Sequence, residues 1–490
     1  MTIQAIRQLK HKLAPPAKNN FLYNLSLNSW PLGASTADSL LIKPPDPWAG
    51  NSLAGEELLQ GCFTHKSERF HFHGGQWKPL GINHFWLKKL HSFQWLRDLR
   101  AIGGAQGRQT AKAYIQHWIH HNHHYDSDIW APDITGLRLS MWISHYDFFS
   151  DADDDEFQDD FFASLHKQAR HLGNSLSGEL YGLKAFQALK GYLYTALALP
   201  GREKDIERAL NTIQKHIKTQ ILGDGGHISR NPETLLQILI IMLDMRHAFA
   251  AAGYPLPDFI QHAIDRAGPA LRFFIYGDKN LGIFNGSNEQ DIAVIDSVLA
   301  QAGVRGKILS SLPSCGYERV SQGRTLLVFD TGQSPPWPYD KAMHAAPLSF
   351  EMAYGKERIF STCGAHLTCD EWNASLRATA AHNTVTIDHR NAAEIRQDGH
   401  LGRKVHHPFI RREENRKTCL IEASHDGYLP LNGITHSRRL FLGEQGSDLR
   451  GEDTLDCLGA PSRPLDIAIR FHLHPRVLVS LVQNETEALL

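Results

Sequence analysis

Near residue 310 the hydrophobic period of this 490-residue chain changes, and that change limits the fold more than any other feature. From about 85 to 300, apolar residues recur at i, i+3, i+4 and i+7. The segments "FWLKKLHSFQWLRDLRAI", "QTAKAYIQHWIHHN", "DDFFASLHKQARHLG" and "DIERALNTIQKHIKTQIL" all show this pattern. Beyond 310 the segments are short, rich in Val, Ile, Thr and Phe, and punctuated by Gly, Asp and Pro, as in "GRTLLVFDTG" and "HNTVTIDHRN". Helices followed by strands demand separate layers. The expected fold class is α+β multidomain: an N-terminal α/α toroid, an incomplete barrel of helical hairpins, and then a C-terminal antiparallel β-sandwich. The expected divisions are an extended, irregular segment over 1–84, the toroid over 85–308 and the sandwich over 309–490. The last stretch, "RFHLHPRVLVSLVQNETEALL", reads as a strand and the start of another, so the sandwich is expected to be either truncated or simply shorter there.

Composition narrows the function classes. A net charge of −1 gives no global attraction to nucleic acid or to a membrane surface. Six cysteines without a CxxC pair argue against a disulfide framework. The N-terminus lacks the apolar core of a signal peptide, which favours a cytoplasmic address. The most apolar run, "LLQILIIMLDM", is interrupted and reads as too short to cross a bilayer, so no membrane insertion is expected. The acidic run "DADDDEFQDD" does not have EF-hand spacing and reads as a solvated helix start.

Four constellations could carry chemistry. The first is "GDGGHISRNP" at 223–232. Its glycines suit a tight turn. Asn231 and Pro232 suit a helix cap and first turn. His227 and Arg230 are not needed for that, and a helix N-terminus receives anions well. The second is a polar stripe on "SGELYGLKAFQALKGYLY", with Tyr181, Lys184 and Gln187. It is a solvated face or, in a toroid, the cleft end of an inner helix. The third joins His344, Cys363 and His382, a soft set that would suit zinc, against the plainer reading of buried histidines bonded to carbonyls. The fourth is Trp95, Trp118, Trp130 and Trp142 with Asn122, His123, His124 and Arg138, either sugar platforms or core.

The phrases "DGGHISRNP", "YGDKNLGIFNGSNE", "HAAPLSFEMAYGKERIF", "RATAAHNTVTID" and "HDGYLPLNGITHSRRLFL" together resemble the heparinase II/III-like family of polysaccharide lyases, over about four fifths of the chain. The resemblance implies a toroid and a sandwich, and β-elimination on an acidic, uronate-containing polysaccharide or oligosaccharide. Such chemistry needs the uronate carboxylate neutralised, a base for the C5 proton and an acid for the leaving oxygen. It needs no cofactor, although some members hold a structural zinc, and it implies a cell-envelope or periplasmic setting. On this reading His227 is base or carboxylate partner, and Arg230 and Asn174 neutralise the carboxylate. Tyr181 is acid or base, and Asn231, Lys184 and Arg138 contact substrate. His344 is also a catalytic candidate, and with His382 and Cys363 it shapes a floor around zinc. The match departs from the family at several positions. Thr234 stands where a catalytic Tyr is usual, and Ala342 where a catalytic His is usual. Thr362 and Cys363 stand where an acidic metal ligand is usual, and Ser175 follows Asn174 in place of a His. The departures support a second reading, a non-catalytic glycan-binding or envelope-polysaccharide-assembly protein that kept the fold. Hydrolysis by paired carboxylates is a third, with Glu179 and Asp224 as its candidates.

Overall fold

The computed structural model describes residues 39–489, apart from 66–67, 73–74, 152, 177–179, 407–408, 460–462 and 484–486. Glu179 and most of the N-terminal segment therefore lie outside the described residues. The chain forms two compact units. One comprises the described residues up to 180 with 184–213 and 244–255, and the other comprises 181–183, 214–243 and 256–490.

The first unit is helical. Its described N-terminal part is not wholly extended, as the Pro- and Gly-rich sequence suggested. Asn51 accepts from the N–H groups of Leu53 and Ala54 at 3.0 and 3.2 Å and starts a helix over Ser52–Leu59. A two-stranded hairpin follows, β1 (Cys62–His65) with β2 (Glu68–His71). The acidic run starts a helix, as read. Asp154 caps Asp155–Ser175 by accepting from Phe157 N–H at 3.0 Å, and Asp155 and Glu156 meet the positive end of its dipole.

Helices Pro132–Ser144 and Gly182–Ala198 cross with their backbones in contact. A Cβ on Gly136 would lie 2.3 Å from the Gln187 carbonyl oxygen, and one on Gly191 would lie 2.2 Å from that of Gly136. Gly191→Val is expected to cost about 3 kcal/mol, the upper end for an overfilled core. An unchanged denaturant midpoint would contradict this close approach.

Trp95, Trp118, Trp130 and Trp142 are 0–2% exposed, so they are core and not sugar platforms. Trp118 and Trp142 meet edge to face at 5.4 Å. Arg138 is 0% exposed and lies 4.2 Å over the Trp118 ring.

The second unit carries two main sheets. The five-stranded antiparallel sheet runs in the order β3 (Ser311–Leu312), β4 (Tyr317–Gln322), β5 (Thr325–Asp330), β6 (Phe350–Tyr354), β7 (Glu357–Phe360). Two-residue turns led by Gly323 (φ 56°) and Gly355 (φ 63°) join β4 to β5 and β6 to β7, a position that favours glycine. β8 (Val385–Ile387) pairs with a later strand. The four-stranded sheet runs β12 (Asp448–Cys457), β11 (Ile434–Gly443), β10 (Cys419–His425), β9 (Phe409–Glu414). Val320, Leu327, Phe329 and Phe350 from one sheet pack on Ile421, Ala423, Leu440 and Leu442 from the other. Alternation along β10 directs Cys419, Ile421, Ala423 and His425 inward. This is the sandwich read from the period-2 segments.

The apolar run occupies the helix Pro232–Ala251, which is 20 residues long. By length and composition alone it is long and apolar enough to cross a membrane, where the sequence reading had the run too short, and 61% of its apolar window is buried within the protein.

Candidate functional site

The loop after the helix Glu203–Gln220 folds back as a miniature hairpin. Leu222 N–H donates to Gly226 O at 2.8 Å, and Ile228 N–H to Gln220 O at 2.9 Å. Gly225 has φ 87°, and a Cβ there would sit 2.0 Å from the Arg266 carbonyl oxygen, so only glycine fits. The two Asp224 oxygens accept from the backbone N–H groups of Gly226 and Cys315, at 3.0 and 2.8 Å. That carboxylate is a structural tie, which leaves the hydrolytic reading without a described acid pair.

His227 is 1% exposed, and both its ring nitrogens are engaged. Nδ1 accepts from Ser229 N–H at 3.1 Å and lies 2.7 Å from Ser229 Oγ, while Nε2 lies 3.1 Å from Gln220 Oε1. An amide N–H aimed at Nδ1 places the ring proton on Nε2, which donates to Gln220. Burial holds the ring neutral and pushes its pKa down to about 3. The lone pair a general base would use already receives the Ser229 donors. The base role expected for His227 is therefore corrected to a structural one.

Arg230 is corrected in the same way. It is 4% exposed and adopts φ 61°. Its Nε donates to Cys315 O at 2.7 Å and its Nη2 to Gly316 O at 3.0 Å. Nη1 reaches Gly332 O and Gln333 O at 3.3 and 3.2 Å. Nη2 also pairs with the buried Asp330 carboxylate, and the guanidinium lies 4.8 Å over the Tyr317 ring. This charge is neutralised within the protein and does not face a ligand carboxylate. Asn231 is the helix cap: its Oδ1 accepts from Thr234 N–H at 2.7 Å and its Nδ2 donates to Asn285 O at 2.7 Å. Its amide is used internally, so it is not displayed for substrate.

Tyr181 keeps partial exposure. Its ring lies 6.2 Å from Trp337 and 6.4 Å from Tyr339, and Tyr339 meets His227 edge-on at 6.4 Å. Beside them Trp337 lies 6.2 Å from His400, whose Nδ1 pairs with Asp340 at 2.7 Å; Lys404 pairs with the same carboxylate at 2.7 Å. Burial raises the Asp340 pKa, but Lys404 and His400 outweigh it and hold the carboxyl below its ordinary range. Trp337, Tyr339 and Asp340 were not singled out from sequence, although the aromatic, proline-rich "SPPWPYD" was a usable signal.

The structure brings His344 and His382 together, stacked at 4.5 Å and 30°. His382 Nε2 donates to Leu376 O at 3.0 Å, and neither His344 Nε2 nor His382 Nδ1 has a hydrogen-bond partner. Burial pushes His382 down to about 3; burial, then His382 and Arg377, push His344 well below the imidazole range. Cys363 does not complete a set with them. Its Sγ lies 4.0 Å from His472 Nδ1, and among the described residues no group of three metal-ligating side chains forms. With the Arg377 cation acting on His344 and no third ligand, these residues do not fit zinc. Ala342 is exposed near Asn231: a Cβ on Gly286 would lie 3.4 Å from Ala342 Cβ and 3.5 Å from Asn231 Nδ2. The position where the resemblance expects a catalytic imidazole carries a methyl group.

In the first unit, Asn174 and Lys184 are exposed. Lys88 Nζ donates to Asp133 Oδ2 at 3.0 Å and to Gln187 Oε1 at 2.8 Å. Burial, then the Lys184 charge, lowers the His84 pKa and favours its neutral ring, while at Asp133 the Lys88 and Lys184 charges outweigh burial, so two ammonium groups act on one carboxylate. Arg138 takes no part. Its nitrogens donate to Gln168 Oε1, His91 O, Ile129 O and Thr135 Oγ1 at 2.6–3.2 Å, which corrects its expected contact with substrate.

This architecture and the motifs on it define a lyase-like fold, and residues 304–490 match the family model described as heparinase II/III-like, C-terminal. Along its length the chain is similar to FtsZ-localized protein C of Caulobacter vibrioides, 29% identical over 479 residues, which are 92% of this chain and 81% of that protein. Among solved structures it is similar to a heparinase III gene product, with TM-score 0.63 and 15% identity over 90% of this chain and 74% of that one. A mutant of the heparan sulfate lyase HepC from Pedobacter heparinus matches with TM-score 0.61 and 15% identity, over 96% of this chain and 78% of that one. These likenesses establish the toroid-plus-sandwich fold.

Proposed function

We propose that this protein binds an acidic glycan through a lyase fold without cleaving it, in the assembly of an envelope polysaccharide. The observation that carries this reading is the internal engagement of His227 and Arg230. The neutral imidazole has both nitrogens occupied, and the guanidinium is paired with Asp330. Thr234 and Ala342 supply neither a phenol nor an imidazole in their place. Binding groups remain. In the second unit Tyr181, Trp337 and Tyr339 offer partly exposed aromatic surface, and separately, in the first unit, Lys184 offers an exposed cation. Aromatic faces and ammonium groups suit sugar rings that carry carboxylates or sulfates.

The likeness to a protein named for its localisation with FtsZ, at 29% identity against 15% for the two lyase structures, supports a localisation with FtsZ. The test supplies the purified chain with a panel of uronate and sulfated glycans. Unsaturated uronate is followed by its ultraviolet absorbance, and binding by calorimetry. The expected result is binding without product, weakened about tenfold by Trp337→Ala, the loss of roughly 1.4 kcal/mol of ring contact. Product from the wild-type chain, abolished by Tyr181→Phe, would restore β-elimination as the function.

A further inference from the structure

The hairpin over residues 394–403 brings one titratable ring to the aromatic surface of the proposed glycan site. Glu394 N–H donates to Arg403 O at 2.8 Å, Gly402 N–H to Glu394 O at 2.9 Å and Arg396 N–H to His400 O at 2.9 Å. Its turn is set by Asp398, which accepts from His400 N–H at 3.0 Å, and by Gly399, whose φ of 83° favours glycine. His400 follows directly, with its ring 6.2 Å from Trp337 at 43°.

The surroundings fix how this ring is used. Nδ1 lies 2.7 Å from Asp340 Oδ1, and Lys404 Nζ lies 2.7 Å from Oδ2 of the same carboxylate. Asp340 is 0% exposed, and an ionised carboxylate only accepts, so Nδ1 carries a proton and faces inward. Among the described residues no hydrogen bond engages Nε2, and the His400 side chain keeps 14% exposure. Nε2 is the atom left for a ligand. It presents opposite chemistry in the two charge states. The neutral ring turns a lone pair towards an anionic oxygen, and the protonated ring turns an N–H towards it. Imidazole is the side chain whose charge changes nearest neutral pH.

The fixed charges around the ring favour an anion. A Cβ on Gly399 would lie 3.3 Å from the Lys341 stem and 3.8 Å from Arg377 Nη1. Lys341 is exposed, and the buried Arg377 Nη2 has no hydrogen-bond partner. On the hairpin, Arg396 is offset by Glu394: a Cβ on Gly402 would meet Glu394 Oε2 at 2.0 Å and Arg396 Nε at 2.9 Å. Lys341, Arg377 and Lys404 thus stand against Asp340 and the exposed Asp398, which leaves positive charge in surplus.

We infer that His400 is the acid-responsive contact of this site: its Nε2–H, formed when the ring takes up a proton, donates to a sulfate or carboxylate of a glycan lying against Trp337, and Asp340 is the positioning residue that holds the ring. This rests on the glycan-binding reading proposed for the site and adds its regulation, since capture strengthens as pH falls. By linkage, binding the anion also draws a proton onto the protein.

Calorimetry with a heparin oligosaccharide tests the role of His400, because the sulfates and carboxylates of that probe stay ionised between about pH 6 and about pH 8. The full chain should bind about tenfold more tightly at the lower pH, the scale of one charge-assisted hydrogen bond. His400→Gln should remove most of that difference. His389→Gln, which removes an exposed histidine paired with Asp466, should keep it. Titrations of the wild type in buffers of different ionisation enthalpy should show proton uptake on binding, a readout that does not depend on any variant folding. Equal pH dependence in His400→Gln, or binding without proton uptake, would overturn the assignment of His400 and leave the glycan-binding reading intact. No binding by the wild type at either pH would overturn that reading and this inference with it.

Discussion

Arg230→Ala is expected to destabilise the protein by about 3–5 kcal/mol, the range for removing one partner of a buried ion pair. Asp330 is 2% exposed and would keep its charge without a counter-ion, or take up a proton. The carbonyls of Cys315 and Gly316, which accept at 2.7 and 3.0 Å, would lose their donors as well. Lysine should not rescue the variant, because one ammonium group cannot reproduce the planar fork. Arg230→Met combined with Asp330→Asn should recover part of the loss by removing the stranded charge. Urea denaturation reads both effects. If Arg230 instead faced ligand, its alanine variant would keep full stability and lose only binding, and that outcome would sink the structural assignment.

The second large effect is acid sensitivity. His91, His227 and His382 titrate near 3 and His145 near 4, in each case first because burial disfavours the charged ring. Unfolded, each would titrate near 6.5. Between those values the unfolded chain binds protons that the folded chain refuses, so stability is full above about pH 6.5 and falls as pH drops towards 4. Each ring contributes a slope of up to about 1.4 kcal/mol per pH unit. The melting temperature should therefore decline steeply from pH 7 to pH 5, and a flat profile would show that these rings ionise freely. His227→Gln should make the decline shallower by one proton's share.

Residues that depend on local pattern were legible in the sequence. The change of period separated helices from strands, the Asn231–Pro232 pair marked a helix start, and the acidic run marked another. What escaped was which side chain meets which, whether the partner lies nearby, as Gln220 does for His227, or far along the chain. His227 and Arg230 looked like surplus chemistry because Gln220 and Asp330 carry no mark that assigns them to those side chains. Asp330 lies 100 residues from Arg230. The four tryptophans and Arg138 were ambiguous because a large amphipathic side chain serves core and ligand equally well in one dimension. Their near-zero exposure decides it. Asn51 was missed because an eight-residue helix is too short for its period to stand out.

The ties from the 223–231 loop bear on how such a protein can be cut and recombined. The family signature starts at residue 304, yet Asp224 reaches Cys315 and Arg230 reaches Asp330 across that line. A border drawn by sequence similarity is thus not a border in the physics. A fragment beginning at 304 would carry Asp330 without its cation and the Cys315 and Gly316 carbonyls without their donors. The sandwich is heritable as a recognisable stretch of sequence, but it is not a transferable module, and exchange between relatives would have to carry the preceding loop along with it.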